Sequence, residues 1–224
     1  MLRYLRTVAY IAIFVAIIIT SVDVMSFDID FFRDFYAKND SAEEIGVSFD
    51  DLMLSTEVLL DYTKGKSDTL DVMVTVDGSR EMMFNKRETD HMVDVRDLYL
   101  GAILIRNLAA GFFAFMLLLD VMRKKFSFER HWLAVKQAGT IMFALIGFIV
   151  MAAVIDFNTF WTTFHQIFFR NDLWLLNPNT DRLILMVPLN FFISLVTRII
   201  TASISGLSLV IGFVYFFVRK ERKA

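Results

Sequence analysis

Four long apolar stretches constrain what this chain can fold into. They cover roughly residues 7–21, 98–119, 138–155 and 189–218. A helix needs about 20 such residues to cross the ~30 Å hydrocarbon core of a bilayer. The composition agrees, because 56% of the 224 residues are hydrophobic and 24 are Phe. The sequence therefore predicts a small integral membrane protein, a mainly α four-transmembrane-helix bundle.

The placement of Lys and Arg predicts how the bundle is oriented. Eleven of the 23 basic residues lie before the first stretch, within residues 121–137, or within residues 219–224. Residues 28–97 hold eighteen acidic and eight basic residues. Because cytoplasmic flanks of membrane spans are rich in Lys and Arg, we expect both termini inside and the acidic segments outside. The net charge of −2 gives no reason to expect nucleic acid as a partner.

These two patterns divide the chain into alternating spans and connections. In order we expect a first span with a cytoplasmic N-terminus (1–27), an extracytoplasmic cap (28–97), a second span (98–120), a basic cytoplasmic loop (121–137), a third span (138–155), an extracytoplasmic interfacial loop (156–188), a fourth span (189–218) and a cytoplasmic tail (219–224). The first span has no obvious cleavage site, so we interpret it as an uncleaved anchor. The chain has no Cys, which excludes disulfides and thiolate catalysis.

The predicted cap is a small α+β structure that combines a helix with a β-hairpin. Residues 27–36 form an acidic amphipathic piece that we expect near the lipid surface. A helix is predicted from Ser48 to a stop at Gly65. Alternating residues 70–76, the turn dipeptide Asp77-Gly78 and residues 79–84 predict the hairpin. The predicted apolar face of the helix consists of Leu52, Leu54, Val58, Leu59 and Tyr62.

Histidine marks the candidate chemistry, because its charge changes near neutral pH. His91 precedes Asp94 by three residues, which places both on one face if the segment is helical. His165 lies beside a helical aromatic stripe that we expect at the headgroup boundary. A solvated helix neck around His91 is the alternative interpretation, and the stripe itself is typical of an interfacial belt. His131, in the predicted basic loop beside Trp132, is interpreted as a surface residue.

Four charged residues are expected at one depth near the outer end of the spans. If each helical residue rises ~1.5 Å from the last inner basic residue of its span, all four lie about 25 to 32 Å above the inner edge of the membrane. They are Asp23, Arg106, Asp156 and Arg198. Isolated charges at that depth are costly, so they are expected to pair or to face a polar chamber. Interhelical ion pairs with snorkelling and a wet chamber both fit this pattern.

The residues alone leave the function class open. The chain has no Gly-rich phosphate loop, no serine-hydrolase elbow and no persuasive zinc spacing. The outward His, acids, Asn and Trp suit acyl or phosphoryl chemistry on a lipid headgroup. An outer-leaflet lipid hydrolase or phosphatase would use the same inventory. A non-enzymatic membrane subunit that binds a partner through the cap is a third interpretation.

Two motifs resemble the bacterial lipoprotein intramolecular transacylase family, Lit. The first is His91-Met92-x-Asp94-Val95, and the second runs from Phe164-His165 through Asn171-Asp172-x-Trp174 to Thr180-Asp181. With the span layout, the resemblance covers nearly the whole chain. It implies an acyltransferase that moves the sn-2 acyl chain of a diacylglyceryl-Cys lipoprotein to its own α-amine, giving the lyso-form. It also implies a bacterial cell membrane, and neither a metal nor another cofactor.

The resemblance suggests how the site residues divide the work. His91 and His165 would supply proton acceptance and oxyanion or leaving-group assistance, and the sequence leaves open which does which. An acyl-imidazole intermediate is the alternative to direct aminolysis. The supporting or substrate-binding candidates are Asp94 and Asp172 to orient imidazoles, Asn171 and Arg106 to hydrogen-bond the ester or headgroup, Trp174 to shape the pocket, and Arg96 and Arg198. The substrates would be membrane lipid and the diacylated lipoprotein N-terminus.

Overall fold

The computed structural model describes residues 2–76 and 78–223. In chain order the elements are α1 (Leu2–Ser26), α2 (Ile29–Asn39), α3 (Ser41–Ile45), α4 (Phe49–Thr63), β1 (Met73–Val76), β2 (Ser79–Met82), α5 (Lys86–Met122), α6 (Phe128–Ile155), α7 (Phe157–Phe168), α8 (Leu183–Met186) and α9 (Leu189–Glu221). The chain separates into two compact units. The bundle unit comprises residues up to Met25, Ala102–Asp156 and residues from Val196, and the cap unit comprises Ser26–Gly101 and Phe157–Leu195.

Four helices in the described part of the chain are long and apolar enough to cross a membrane, which are α1, α5, α6 and α9. This confirms the predicted mainly α, multi-pass membrane architecture. Helix α5 has 37 residues, which is about 55 Å and longer than a bilayer's hydrocarbon core. Its first turns carry most of its charged residues. The charged start of α5 therefore belongs to the cap unit, and its apolar remainder belongs to the bundle.

The core of the bundle unit is built where α1, α6 and α9 approach closely. Phe14 of α1, Val135 of α6 and Leu207 of α9 are fully buried in one cluster. Gly206 permits this approach, because a Cβ there would lie 2.6 Å from Cγ2 of Ile17 on α1. Small residues at such crossings allow the backbone contacts that hold membrane helices together.

A polar cluster ties the ends of three bundle helices. Arg6 of α1 donates two hydrogen bonds, of 2.6 and 2.8 Å, to the carboxylate of Asp120 on α5. His131 lies 3.4 Å from the same carboxylate, and its Nδ1 lies 3.2 Å from the hydroxyl of Tyr10. Only 2% of His131 is exposed, so its interpretation as a surface residue was wrong. The reason is that α6 already begins at Phe128, which turns His131 towards α1 and α5.

The predicted pairing of deep charges is confirmed for one pair. Arg106 Nη1 lies 2.8 Å from Asp23 Oδ2, which joins α5 to α1. Asp156 ends α6 in an extended conformation and is exposed, and Arg198 lies on α9. The ion-pair interpretation therefore accounts for Asp23 and Arg106.

The cap unit contains the predicted helix and hairpin. Ser48 caps α4 by accepting a 3.0 Å hydrogen bond from the backbone N–H of Asp51. Gly65 follows the helix with a φ of +72°, a conformation that favours glycine. Strands β1 and β2 pair antiparallel from Met73 opposite Met82 to Val76 opposite Ser79. Asp77, the first residue of the predicted turn dipeptide, lies outside the described residues.

Two details of the cap differ from, or add to, the sequence prediction. Leu54 was placed on the buried face of α4, but it is 48% exposed. The buried stripe runs through Leu52, Leu59 and Tyr62, and Leu54 lies about 200° around the helix from Leu52. The aromatic face of α2 packs inside the cap unit, where the Phe32 ring lies 4.8 Å from that of Phe191. Its predicted position near lipid stays a prediction.

Enlarging Gly206 should destabilise the bundle unit. In Gly206→Leu the new side chain would overlap Ile17, and overpacking of this kind typically costs about 1–3 kcal/mol. We expect a clearly lower thermal unfolding temperature in detergent. Gly212→Leu on the same helix is the control, because a Cβ at Gly212 meets nothing within 4 Å. Equal unfolding temperatures for the two variants would contradict the close α1–α9 approach.

Candidate functional site

The cap unit brings together the two histidines that the sequence singled out. His91 lies near the start of α5, and His165 lies near the end of α7. Their ring centroids are 6.3 Å apart with the planes tilted by 33°. The exposed fractions are only 7% and 9%. Two nearly buried imidazoles thus lie at a separation that one hydrogen-bonded group can bridge.

The position of the ring proton on His165 follows from its contacts. Nδ1 lies 2.8 Å from the backbone carbonyl oxygen of Trp161, one helical turn earlier. Because a carbonyl oxygen only accepts, neutral His165 carries its proton on Nδ1 and a lone pair on Nε2. Trp174 stacks on the His165 ring, with centroids 4.9 Å apart. His165 is therefore a base whose Nε2 has a defined direction.

Burial also sets the charge state of His165. Removal from water lowers the pKa of its imidazole below the ordinary value, while the hydrogen bond to Trp161 acts in the opposite direction and is the smaller effect. The neutral, proton-accepting form is thus present at physiological pH. An imidazole of this kind suits general-base chemistry.

His91 has a different environment. Its ring meets that of Phe169 edge-on, with centroids 5.3 Å apart. Its Nδ1 is buried and has no hydrogen-bond partner among the described residues. Buried polar atoms are nearly always satisfied, so an orphaned nitrogen in a site is a candidate contact for substrate. Two imidazolium ions so close together would repel each other, which favours at least one neutral ring.

The segment after α7 is fastened to α5 by predicted site residues. Asn171 Nδ2 donates a 2.8 Å hydrogen bond to Asp94 Oδ2, and Asn171 Oδ1 accepts one of 3.1 Å from the N–H of Leu173. Arg87 donates to the backbone carbonyl of Asp172. Asp94 and Asn171 thus hold the loop next to the imidazoles. Asp172 contributes to the same attachment through its backbone carbonyl, which accepts the hydrogen bond from Arg87.

The three predicted arginines lie in other surroundings. The guanidinium of Arg96 lies over the Tyr62 ring, 4.9 Å from its centroid, and 3.7 Å from the carboxylate of Asp68. Arg106 and Arg198 belong to the bundle unit. Within the cap unit the structure therefore brings together His91, His165, Asp94, Asn171 and Trp174. Arg96, in the same unit, contacts Tyr62 and Asp68 instead.

A buried carboxylate that the sequence analysis did not identify lies one helical turn before His91. Glu88 is 1% exposed, and its Oε2 accepts a 2.7 Å hydrogen bond from the N–H of Asn85. Asn85 Oδ1 in turn accepts a 3.0 Å bond from the N–H of Glu88. This is a reciprocal capping box at the start of α5. The pattern Asn-x-x-Glu before a helical stretch could have identified it.

The same carboxylate connects the start of α5 to the chain that follows α7. Glu88 Oε1 accepts a hydrogen bond from the N–H of Leu183 at the start of α8. Asn85 Nδ2 donates a 2.7 Å bond to Asp181 Oδ1. A turn forms at residues 177–181, where the N–H of Asp181 donates a 2.8 Å hydrogen bond to the backbone carbonyl of Asn177. These contacts join segments about 95 residues apart, so sequence spacing could not have found them.

Asp181 is held as a carboxylate. Burial alone would raise its pKa, but hydrogen bonds from the N–H of Asn177, from Asn85 and from Thr180 outweigh that effect and lower the pKa below its ordinary value. Arg182, the next residue, donates a 2.9 Å bond to the Met82 carbonyl of β2. The turn is thus tied to both α5 and the hairpin. Among the described residues, no group of three His, Cys, Asp or Glu side chains could hold a metal ion.

Comparison with known proteins identifies relatives with the same fold. The sequence profile of the lipoprotein intramolecular transacylase Lit matches residues 7–192. The solved structure of the membrane-integral lipoprotein intramolecular transacylase Lit from Bacillus cereus superposes with a TM-score of 0.84 at 18% identity, covering 100% of this chain and 99% of that chain. None of the curated proteins compared with the chain matches it significantly.

Two variants of the Bacillus cereus protein also match. The superposition on a histidine-to-arginine variant has a TM-score of 0.78 and includes 94% of that variant's chain. The superposition on a histidine-to-alanine variant also has a TM-score of 0.78 and includes 96% of that variant's chain. Both are 18% identical to this chain and cover 100% of it. At this identity the superpositions show a shared fold.

Fold and site together define a multi-pass membrane protein with a paired-imidazole site. The family profile covers most of the chain, from within α1 to the start of α9. The chain belongs to the lipoprotein intramolecular transacylase family, Lit. The resemblance found in the sequence motifs is thereby confirmed.

Removing the Glu88 carboxylate should loosen the start of α5. In Glu88→Ala the N–H groups of Asn85 and Leu183 lose their acceptor, and each buried unsatisfied group costs about 1–3 kcal/mol. We expect the thermal unfolding temperature to fall from the native protein to Glu88→Gln and further to Glu88→Ala, since Gln retains one acceptor oxygen. Glu57→Ala, at an exposed position of α4, should behave like the native protein. A Glu88→Ala variant as stable as Glu57→Ala would contradict the anchoring role.

Proposed function

We propose that this protein transfers the sn-2 acyl chain of a diacylglyceryl-Cys lipoprotein to the α-amine of the same Cys, at a site formed by His91 and His165. The product is an N-acyl, S-monoacylglyceryl lipoprotein. Family membership over residues 7–192 supports the reaction. The 6.3 Å approach of the two imidazoles is the observation that carries the assignment of the site.

The reaction suits a site without an evident side-chain nucleophile. Ester and amine belong to one substrate molecule, so positioning converts the attack into an intramolecular step, and such steps reach effective molarities of order 10⁵ M or more. An ester becomes an amide, which is downhill. The protein then has to accept a proton from the amine, stabilise an oxyanion and protonate the leaving oxygen.

The contacts of the two rings favour a division of these tasks. The substrate nitrogen attacks the ester carbonyl carbon, and His165 Nε2 takes the proton that the amine loses. An N–H of neutral His91 donates to the oxyanion. The bond between the carbonyl carbon and the sn-2 oxygen then breaks, and the leaving oxygen takes the proton back from the His165 imidazolium. The lone pair on Nε2, defined by the Trp161 contact, supports His165 as the base.

The neighbouring residues act by positioning. Asp94 and Asn171 hold the loop that follows α7 against α5, and Trp174 keeps the His165 ring in its plane by stacking. Asp172 contributes its carbonyl to the Arg87 contact. We assign Arg96, Arg106 and Arg198 supporting roles.

Loss of either imidazole should slow transfer strongly. We expect His91→Ala and His165→Ala to reduce the rate by about 10²-fold or more, the usual contribution of a general acid or base. The measurement is mass spectrometry of a lipoprotein's N-terminal peptide from cells at matched expression. Transfer leaves the lipid mass unchanged and moves one acyl group to nitrogen, which fragmentation locates.

His131→Gln provides the matched control, because the third histidine lies in the bundle unit and its amide replacement retains polar contacts. It should retain transfer. Full activity in either cap variant would overturn the paired-imidazole assignment. Release of free fatty acid or phosphate, with the amine left unmodified, would indicate a lipid hydrolase or phosphatase. An acylated His trapped on the protein would replace direct aminolysis by an acyl-imidazole route.

The lowered pKa of His165 predicts the pH dependence of the rate. The reaction requires neutral His165, and because the pKa of His165 is lowered, its protonation reduces the rate only below pH ~6.5, the ordinary pKa of His. The substrate α-amine must also be neutral, and it loses its proton near pH ~8. The logarithm of the single-turnover rate should therefore rise with a slope of one between about pH 6.5 and 8, and level off above. A slope that steepens towards two as the pH falls from about 6.5 to 5.5 would show that the pKa of His165 is not lowered.

We place the site on the outer face of the bacterial cytoplasmic membrane, with both termini inside. The basic ends of α1, α5 and α9 support this orientation. Because the chain has no Cys, single cysteines report on it directly. Lys38→Cys in the cap unit should react with a membrane-impermeant maleimide in intact cells, whereas Lys220→Cys should react only after permeabilisation. The opposite labelling pattern would invert the topology.

A further inference from the structure

The end of the bundle unit farthest from the Asp23–Arg106 pair carries a basic groove. Here α6 begins and α9 ends, and the Phe128 ring stacks on Phe217 with centroids 4.8 Å apart. The carboxylate of Glu221 accepts hydrogen bonds from the N–H groups of Phe128 and Glu129, at 3.0 and 3.1 Å. These contacts hold the two helix ends side by side.

Aromatic and basic side chains line the groove, which has a volume of about 310 Å³. The lining residues are Trp132, Tyr215, Val218, Arg219, Arg222 and Lys223. The rings of Trp132 and Tyr215 lie 5.3 Å apart across the two helices. Lys136 Nζ lies 5.6 Å from the Trp132 ring, and the Arg219 guanidinium lies 5.9 Å from the Tyr215 ring. The aromatic pair thus holds cations on both sides.

The groove has an excess of positive charge. Arg222 is neutralised by Glu129, whose Oε1 accepts two hydrogen bonds of 3.0 and 2.9 Å. The Glu221 carboxylate is occupied by the start of α6. The cations of Arg219, Lys223 and Lys136 remain around the groove. A bound anion would balance this positive charge.

The surroundings of the groove define the kind of anion. Further along the same two helices, large apolar side chains are exposed, including Phe143 on α6 and Leu209 and Phe216 on α9. Such a surface faces acyl chains in a membrane, while Trp and Tyr mark the headgroup level. Basic pockets between membrane helices are suited to anionic headgroups. The volume is at the lower end of small-ligand sites.

We propose that this groove binds the phosphodiester headgroup of one anionic phospholipid, with its acyl chains against the exposed apolar surface of α6 and α9. The phosphate lies between Arg219 and Lys223, and the aromatic pair contacts the glycerol. The groove residues belong to the bundle unit and the paired imidazoles to the cap unit, and occupancy of the groove does not depend on the proposed reaction.

The test compares lipids and variants by native mass spectrometry and thermal unfolding of the purified protein. The probes are phosphatidylglycerol and phosphatidylcholine with identical acyl chains, and soluble glycerol phosphate. The groove variant combines Arg219→Gln with Lys223→Gln and leaves the Arg222–Glu129 pair intact. The control combines Lys124→Gln with Lys125→Gln, which removes the same charge from the link between α5 and α6.

We expect one phosphatidylglycerol to bind and raise the unfolding temperature of the native and control proteins. The groove variant should bind phosphatidylglycerol at least about tenfold more weakly. Equal loss in the groove and control variants would show a diffuse surface potential and overturn the site. Equal binding of phosphatidylcholine, or of glycerol phosphate without acyl chains, would also overturn the proposal. If the groove variant unfolds without lipid, Arg219→Lys with Lys223→Arg must restore both stability and lipid binding.

Discussion

The cap unit depends on one buried carboxylate. Burying an acidic side chain is costly unless every oxygen finds donors, and Glu88 meets this requirement with the N–H groups of Asn85 and Leu183. The carboxylate therefore joins the start of α5 to α8. Asp181 reinforces the same junction through Asn85. Because this junction sets where α5 begins, it also sets the direction of His91, which lies three residues further along one face of the helix.

The second imidazole is placed by independent contacts. His165 is held by the Trp161 carbonyl within α7 and by stacking on Trp174, and the Asn171–Asp94 bond brings that segment to α5. Each ring is thus positioned by its own neighbours before substrate arrives. Preorganisation of this kind costs no rearrangement during the reaction. It suits a reaction in which donor and acceptor already share one molecule.

The sequence predicted what depends on local chemistry and on the membrane. The length of the hydrophobic stretches identified the membrane spans. Ser48 and Gly65 marked the ends of α4, because caps and turns depend on adjacent residues. Tertiary contacts decided what it missed. His131 is buried because α6 starts earlier than its apolar core suggests, and the partners of Glu88 lie far along the chain. The Lit motifs identified both imidazoles, but not the tautomer of His165, which depends on the contact of its Nδ1 with the Trp161 carbonyl.

A double-label crossover experiment tests the central claim most directly. Two synthetic diacylated lipopeptides with different peptide sequences are mixed with the purified protein, and only one carries an isotope-labelled sn-2 acyl chain. Transfer within one substrate held between His91 and His165 predicts that each peptide receives its own acyl chain on nitrogen. Labelled acyl chains on the other peptide, or fatty acid released to water, would contradict intramolecular transacylation.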